Sequence, residues 1–178
     1  MLLPTILSRC QIIHLGVVVR YSKEETHLNN KKDIKTCDIV FIAVPTPTTP
    51  RGFNFEAIRE VLKLIGKGKI AVIKSTVLPG TTRILQEENP GILVLCSPEF
   101  LREATARDDV NRPDRNIIGI VEKVPAHQEA AESVMNILPP ASYSAICSSE
   151  EAEFTKYAGN TFLYIKVVYM NMLYDLAR

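Results

Sequence analysis

The sequence carries almost no net charge and no long hydrophobic run, and each absence removes a class of partner or location. The formal net charge is +1 over 178 residues, so electrostatics gives no reason to expect nucleic acid or a membrane surface as a partner. The apolar stretch 161–174 is interrupted by Lys166 and Asn171, and it is too short and too polar to span a membrane. The apolar start, residues 1–7, lacks the basic flank and the length of a signal peptide.

Cysteine and histidine occur in no pattern that binds a metal. The four cysteines show no CxxC spacing and the three histidines are scattered, so no metal site is predicted. Cys37, Cys96 and Cys147 each border an apolar run, and we expect them to pack in the core of a protein in the reducing cytoplasm. Apolar residues make up 46% of the chain and charged residues 23%, which is typical of a globular protein long enough for one domain.

What the sequence does contain is an alternation of short buried strands and helices. Unbroken apolar runs predict strands, and segments with apolar residues along one side predict helices. The predicted strands are 39–44, 70–77, 92–96, 116–121 and 142–147, and the predicted helices between them are 55–65, 81–88 and 125–138. This order predicts an α/β fold with a parallel sheet and helical crossovers, Rossmann-like or flavodoxin-like. Thr81 or Thr82 is the expected cap of the second helix, and 12–19 is compatible with a further strand.

Residues 97–104 follow a predicted strand and are expected to open a helix. In open α/β sheets, ligands bind at this edge. Pro98 suits a first helical turn, and Glu99 and Glu103, four residues apart, would share one helix face. An ordinary acidic helix start is the simpler interpretation of these residues alone, and a catalytic pair is the alternative.

Residues 149–178 predict one long helix that is apolar nearly all round, opened by a capping box of Ser148 and Glu151. Such a helix must be buried on most sides, so we expect a partner subunit or a second domain to cover it. Lys156 and Asn160 share one face of it. A solvated polar spot is the simpler interpretation of this pair, and a functional pair is the alternative.

Four segments together carry a more specific pattern. They are 41–47 (FIAVPTP), 74–82 (KSTVLPGTT), 97–104 (SPEFLREA) with 111–115 (NRPDR), and 153–160 (EFTKYAGN). In this order they resemble the UDP-glucose/GDP-mannose dehydrogenase family, and their details are nearest to its bacterial UDP-glucose type. The resemblance implies that 37–147 is the later half of an NAD-binding Rossmann-like domain and 148–178 the start of a central dimerisation helix. Residues 1–36 are left as an atypical N-terminal remnant.

The family resemblance also implies a reaction. Members oxidise the C6 alcohol of a nucleotide sugar twice, through an aldehyde and a cysteine thioester, to a carboxylate while reducing NAD. It therefore implies NAD as cofactor, UDP-glucose as substrate, UDP-glucuronate as product, and a homodimer through the closing helix. UDP-N-acetylmannosamine and GDP-mannose stay open as substrates. A non-catalytic remnant that only folds and associates, or an unrelated Rossmann-like binding module, stays open as an alternative.

The resemblance assigns roles to individual residues. The implied cofactor-binding residues are Val44, Pro45, Thr46, Pro47, Thr48, Ser75, Thr76, Val77 and Glu103. The implied substrate-binding residues are Glu99, Phe100, Leu101, Arg102, Glu103, Lys156 and Asn160, with backbone contacts prominent in 100–102. Thr76 is implied to hold a catalytic water, and Glu99 to do acid–base work, which a dry site would favour. Lys156 is implied to stabilise an oxyanion at C6, assisted by a hydrogen bond from Asn160.

Three elements of the family pattern are missing from this sequence. No GxGxxG turn is present, since Gly16 is the only glycine before position 52, and no acidic residue for the adenosine ribose can be placed. None of the four cysteines matches the catalytic cysteine, which in the family lies beyond the central helix. We therefore expect a fragment, truncated at both ends and inactive alone. Residues 2–12 are similar instead to a short segment of bacterial clamp-loader ATPase subunits.

Overall fold

A computed structural model describes residues 17–21, 34–35, 37–50 and 52–178. The strands are β1 (Val17–Tyr21), β2 (Ile39–Ala43), β3 (Thr48–Thr49), β4 (Gly52–Phe53), β5 (Ile70–Ile73), β6 (Leu93–Cys96), β7 (Arg115–Ile120) and β8 (Tyr143–Ser148). The helices are α1 (Glu56–Leu62), α2 (Thr81–Glu88), α3 (Ala106–Asn111), α4 (Pro125–Ile137) and α5 (Ser149–Leu176), with a 3-10 turn at Glu103–Thr105. Most of the predicted remnant 1–36, including Cys10 and the segment similar to clamp loaders, lies outside these residues.

Six of the strands form one sheet in the order β1-β2-β5-β6-β7-β8. The neighbours β2, β5 and β6 run parallel, as do β7 and β8. This confirms the predicted α/β architecture. The sheet differs from an all-parallel one at two pairings, since β1 is antiparallel to β2 and β7 is antiparallel to β6. An antiparallel pair needs no long crossover helix, and the helical parts of the connection from β6 to β7 are accordingly the 3-10 turn and the six-residue α3.

Both faces of the central strands are buried, which explains the unbroken apolar runs. Val40 and Ile42 of β2 belong to a cluster with the buried residues of α1 and α2. Ile39 and Phe41 point to the opposite face, into a cluster with Ala131 and its neighbours on α4. Alternate residues of one strand therefore supply two cores, and the helices cover the sheet from both sides.

The helix predicted directly after β6 is wrong. Helical backbone begins only with the 3-10 turn at Glu103, and α3 begins at Ala106. The buried carboxylate of Asp109 accepts a hydrogen bond from the backbone N–H of Arg102 at 2.8 Å and from its guanidinium at 2.6 Å. These bonds hold the segment before α3 as a loop. Glu99 lies in that loop, so it does not share a helix face with Glu103.

The long closing helix and its capping box are confirmed. The Ser148 hydroxyl accepts from the Glu151 N–H at 3.3 Å, and the Glu151 carboxylate accepts from the Ser148 N–H at 2.8 Å. The buried residues of α5 are Ser149, Ala152 and Glu153. Every residue after Ala158 is exposed, so the described part of the chain does not cover this apolar helix. Among the described residues, no helix is long and apolar enough to cross a membrane.

Candidate functional site

Ser75 joins the carboxyl ends of β2 and β5. Its buried hydroxyl donates to the carbonyl of Val44 at 2.7 Å and accepts from the N–H of Val44 at 2.9 Å. The Ser75 N–H also donates to the carbonyl of Ile42 at 3.3 Å. Because these bonds take the backbone out of the strand ladder, β5 ends at Ile73, earlier than predicted.

A second bond holds the two loops that follow these strands. The hydroxyl of Thr46 donates to the carbonyl of Thr76 at 2.7 Å. Both threonines are half-buried and Val77 is buried, whereas the remaining loop residues Pro45, Pro47 and Thr48 are exposed. The predicted cofactor-binding residues of 44–48 and 75–77 therefore lie in two loops at the carboxyl edge of the sheet, and hydrogen bonds join these loops to each other.

Lys74 connects the end of β5 to the loop after β6. Its Nζ lies 2.8 Å from Oε1 of Glu99 and donates to the hydroxyl of Ser97 at 3.2 Å. The Lys74 side chain is 12% exposed and that of Glu99 is 44% exposed. Glu99 therefore lies beside a largely buried ammonium rather than in the dry environment expected for it. The sequence patterns assign no role to Lys74, although a lysine ending a strand buried on both faces is a usable signal.

The ring of Phe100 lies beneath two cations. The Nζ of Lys156 is 5.6 Å from the ring centroid and the Cζ of Arg115 is 5.3 Å from it, both within range of a cation–π interaction. Burial lowers the pKa of Lys156, and the negative charge of Glu99 acts in the opposite direction. The structure thus brings together a partly desolvated lysine, an aromatic ring and a carboxylate.

A small hollow lies between the loop after β6 and the start of β7. It is lined by Lys74, Ser97, Pro98, Glu99, Phe100, Leu101, Asp109, Pro113, Asp114, Arg115 and Asn116. The lining offers both signs of charge, which suits a polar ligand.

Among the implied substrate-binding residues, Arg102, Lys156 and Asn160 do not line this hollow. Lys156 approaches it only across the ring of Phe100. The guanidinium of Arg102 is bound to Asp109 at 2.6 Å. Asn160 is exposed, one helical turn beyond Lys156, and does not line the hollow. The backbone of Glu103 lies in the 3-10 turn, and its side chain lies outside the described part of the structure.

The Arg102–Asp109 pair predicts an acid-dependent loss of stability. The Arg102 guanidinium and N–H hold the pKa of Asp109 well below its usual range. A carboxyl group whose pKa is lowered by folding stabilises the protein above its unfolded pKa, and this contribution is lost as the pH falls. We expect the wild-type chain to lose more unfolding free energy than Asp109→Asn between about pH 5 and about pH 2.5 in urea titrations. Asp108→Asn, at an exposed neighbour, is the control and should behave as the wild type does. Equal losses in all three proteins would contradict the prediction.

The predicted caps of α2 are wrong. Thr81 and Thr82 both lie inside the helix, and the N-cap residue is Gly80, which has no side chain to accept a hydrogen bond. The acceptor is supplied by another element, because the carboxylate of Glu153 on α5 binds the start of α2. The local sequence contains no sign of this partner.

The described cysteines are packing residues. Cys37 and Cys96 are fully buried, which confirms their prediction, and Cys147 is half-buried. Burial raises the pKa of both the Cys96 and the Cys147 thiol, and this disfavours the thiolate that a nucleophile requires. Within the described ranges, no group of three or more His, Cys, Asp or Glu side chains could hold a metal ion.

Residues 14–138 match the model of the UDP-glucose/GDP-mannose dehydrogenase family, NAD binding domain. The chain belongs to this family. The UDP-glucose 6-dehydrogenase of Rhizobium meliloti (strain 1021) is 36% identical over 167 residues, which cover 84% of this chain and 38% of that protein. The chain therefore spans well under half of the length of this relative. The resemblance inferred from the four segments is confirmed at the level of the family, and NAD is the cofactor of the matched domain.

Two solved structures share the fold. A UDP-glucose dehydrogenase from Pyrobaculum islandicum superposes with a TM-score of 0.70 at 29% identity, covering 82% of this chain and 37% of that chain. A ternary complex of GDP-mannose dehydrogenase from Pseudomonas aeruginosa gives a TM-score of 0.66 at 28% identity, covering 79% of this chain and 36% of that chain. The fold of this family member is therefore of the Rossmann type, and the family level leaves the choice of nucleotide sugar open.

The loops after β2 and β5 are the described residues that would hold part of a bound NAD molecule. The two hydrogen-bonded loops after β2 and β5 place hydroxyl and backbone groups at the carboxyl edge of the sheet. In open α/β sheets, dinucleotides bind at this edge. Nothing in the described ranges forms a glycine-rich turn from a strand into a helix, the element that usually binds the pyrophosphate, and β1 beside β2 runs antiparallel. The described residues would therefore supply the part of a cofactor site that the ends of β2 and β5 form.

Proposed function

We propose that this chain is part of an NAD-dependent dehydrogenase that oxidises UDP-glucose to UDP-glucuronate. The observation that carries the proposal is the contact of Lys156 with the ring of Phe100, which lines the hollow together with Glu99, next to the loops of the cofactor edge. These residues come from chain segments more than fifty positions apart, so their proximity is a property of the fold. The 36% identity to the Rhizobium meliloti UDP-glucose 6-dehydrogenase favours UDP-glucose over GDP-mannose or UDP-N-acetylmannosamine.

In this proposal Lys156 stabilises negative charge on the C6 oxygen of the sugar. NAD, when bound, accepts the hydride from that carbon. When the C6 hydroxyl gives its proton to water, the oxygen carries negative charge until the hydride has left the carbon and the C=O bond has formed. A fixed ammonium in a partly dry site stabilises this charge more strongly than it would in water. Burial lowers the pKa of Lys156, and the nearby Glu99 favours its charged form. The carboxylate of Glu99 therefore helps to keep Lys156 charged despite its partial burial.

Glu99 and Thr76 are proposed to handle water. The ion pair with Lys74 at 2.8 Å orients the Glu99 carboxylate and keeps an anionic oxygen at the hollow. An anionic carboxylate can accept a proton from a water molecule, so Glu99 suits the base role better than the acid role in thioester hydrolysis. Thr76, half-buried at the end of β5, has a hydroxyl that can donate to and accept from such a water.

We also propose a cytoplasmic homodimer in which 37–147 is the cofactor domain and 148–178 the start of the dimerisation helix. Large apolar side chains are exposed along α5, including Phe162, Ile165, Tyr169 and Leu176, and a second copy of the helix would bury them. Sedimentation equilibrium over a range of concentrations measures this association. It also addresses the alternative function, an association module without catalysis.

Ligand binding tests the proposed function directly. We expect UDP-glucose to shift the NMR signals of Phe100 and Lys156 more than GDP-mannose does, and NAD to shift those of Ser75 and Thr76. Lys156→Ala should weaken UDP-glucose binding about tenfold or more, because a charge-assisted contact is lost. Lys166→Ala, at an exposed lysine of the same helix, is the control and should bind as the wild type does.

Three outcomes distinguish the hypotheses. Equal effects of the two lysine substitutions would contradict the assigned role of Lys156. Self-association without binding of either ligand would favour the association module. NADH formation from UDP-glucose that Lys156→Ala abolishes would establish an enzyme and would refute the expectation that this chain is inactive alone.

A further inference from the structure

Glu153 is a buried carboxylate to which the reaction described above assigns no role. It is 1% exposed and lies on α5, one helical turn before Lys156. Its carboxylate accepts three hydrogen bonds from the start of α2. The donors are the Gly80 N–H at 2.6 Å, the Thr82 N–H at 2.7 Å and the Thr82 hydroxyl at 2.6 Å. This set of bonds is called the Glu153 clasp below.

The Glu153 clasp connects two elements that carry proposed site residues. The loop that contains Thr76 runs directly into Gly80, whose N–H the clasp binds. On the other side, α5 carries Lys156 only three positions after Glu153. A carboxylate at this point also complements the positive end of the α2 dipole. One side chain therefore fixes the end of the loop and the start of the lysine helix with respect to each other.

The orientation of α5 is fixed by its first turns, where Ala152 also joins a buried cluster with Cys96 and Ile117. Beyond Ala158 the helix is exposed, so the position of Lys156 depends on the first turns. There, Ser149 and Ala152 pack closely on Gly119, a contact between small groups with no hydrogen bond of its own. Arg83 and Glu150 form an ion pair at 2.6 Å, but both side chains are more than one-third exposed, and such pairs contribute little.

The hydrogen bonds of Glu153 fix an orientation as well as satisfying the start of α2. Burial raises its pKa, the Glu150 carboxylate acts in the same direction, and the donors of Gly80 and Thr82 oppose both. Desolvation of the carboxylate offsets part of the gain from the bonds, whereas an apolar side chain would leave the donors of Gly80 and Thr82 without this acceptor. What a carboxylate adds is a fixed direction for three hydrogen bonds.

We propose that Glu153 is a positioning residue that holds Lys156 over Phe100 and keeps this lysine in register with the Thr76 loop. The inference rests on the proposed function in one respect, because that function assigns Lys156 to the C6 oxygen of the sugar and Thr76 to a water molecule. The geometry itself is testable without any ligand.

The test uses the full chain, with lysines dimethylated in carbon-13 and the Lys156 signal assigned through Lys156→Arg. In the wild type, the methyl signal should carry a ring-current shift from Phe100 and titrate below an ordinary lysine. In Glu153→Gln, an amide N–H₂ faces a backbone donor, so the clasp cannot form in full. We expect the ring-current shift to decrease, the Lys156 titration midpoint to rise by about half a pH unit or more, and the Thr82 amide to exchange about tenfold faster.

Glu151→Gln is the matched control, because it removes a carboxylate from the same helix turn and weakens the capping box without touching α2. It should lower stability and leave the Lys156 signal unchanged. The same Lys156 signal in the wild type and Glu153→Gln would overturn the proposal, whatever the change in stability. Should Glu153→Gln not fold, Glu153→Asp decides, because a shorter carboxylate keeps the charge but cannot reach both Gly80 and Thr82. An unmoved Lys156 signal in that variant overturns the proposal, and a moved one supports it.

The ligand titrations separate this inference from the proposed function. If Lys156 moves in the Glu153 variants while NAD and UDP-glucose fail to bind the wild type, the proposed function fails and the positioning stands. If both ligands bind and Lys156 does not move, the positioning fails alone.

Discussion

Replacing Gly119 by alanine is expected to lower the free energy of unfolding by about 2–3 kcal/mol. A Cβ at this position would lie 2.7 Å from the Cα of Ser149 and 2.8 Å from the Cβ of Ala152. Both atoms belong to the first turns of α5, and one of them is backbone, so no side-chain rotation relieves the clash. The helix must move away from β7, and this strains the Ser148 cap and the Glu153 clasp together. Urea unfolding followed by circular dichroism measures the loss.

Gly159→Ala is the matched control, and we expect it to change the free energy of unfolding in the opposite direction. Gly159 lies within α5 and a Cβ there would meet nothing within 4 Å. Alanine favours the helix over glycine, so Gly159→Ala should raise stability by up to about 1 kcal/mol. A neutral Gly119→Ala would mean that α5 does not pack on β7 as described. Equal destabilisation by both variants would indicate a general intolerance of substitution rather than close packing.

The strands were predictable from the sequence because a strand that is buried on both faces has apolar residues at consecutive positions. The run from Ile39 onward is apolar at every position, and it is so because alternate side chains enter separate cores on the two faces of the sheet. The α5 capping box was predictable for a similar reason, since Ser148 and Glu151 satisfy each other within one turn. Where the partner of a residue lies close in sequence, the pattern identifies it.

Patterns fail where the partner is distant. Glu99 and Glu103 have helical spacing, yet the backbone N–H of Arg102 donates to the side chain of Asp109. This bond keeps the segment from Glu99 to Glu103 out of a helix. The α2 cap fails on a larger scale, because the acceptor lies more than seventy residues away on α5. Helix propensity reflects only residues that are close in sequence. In both places a buried carboxylate, Asp109 or Glu153, decides the local structure instead.

The candidate site shows the same division. Residues such as Lys156 and Glu99 follow from the family resemblance, but their surroundings do not. Lys74, which pairs with Glu99 at 2.8 Å, has no role in the sequence patterns. Arg102 is engaged by Asp109, and Asn160 is exposed on α5. The resemblance thus identifies which residues to examine, and the fold decides which of them meet at the hollow.

Ser75→Ala is expected to cost about 2–3 kcal/mol of unfolding free energy, a large effect for the loss of one oxygen atom. The Ser75 hydroxyl satisfies both the N–H and the carbonyl of Val44, at 2.9 and 2.7 Å. Both residues are buried, so water cannot replace the hydroxyl without opening the two loops. We expect the loops to separate, the Val44 amide to exchange faster, and the adjacent bond between Thr46 and Thr76 to weaken. Urea unfolding and amide hydrogen exchange measure these effects together.

Ser133→Ala is the control, because it removes the same hydroxyl from an exposed position. Its hydroxyl donates to the Glu129 carbonyl at 2.8 Å within α4, where water is an adequate substitute, so the change in unfolding free energy should stay within about 0.5 kcal/mol. Equal stabilities of Ser75→Ala and the wild type would show that the N–H and the carbonyl of Val44 find other hydrogen-bond partners. The Ser75 hydroxyl would then not be what makes the two loops a rigid edge for a cofactor site. A large loss confined to the Ser75 variant, with faster exchange at Val44 but not within α4, would show that a single serine organises the edge on which Thr76, Lys74 and the hollow depend.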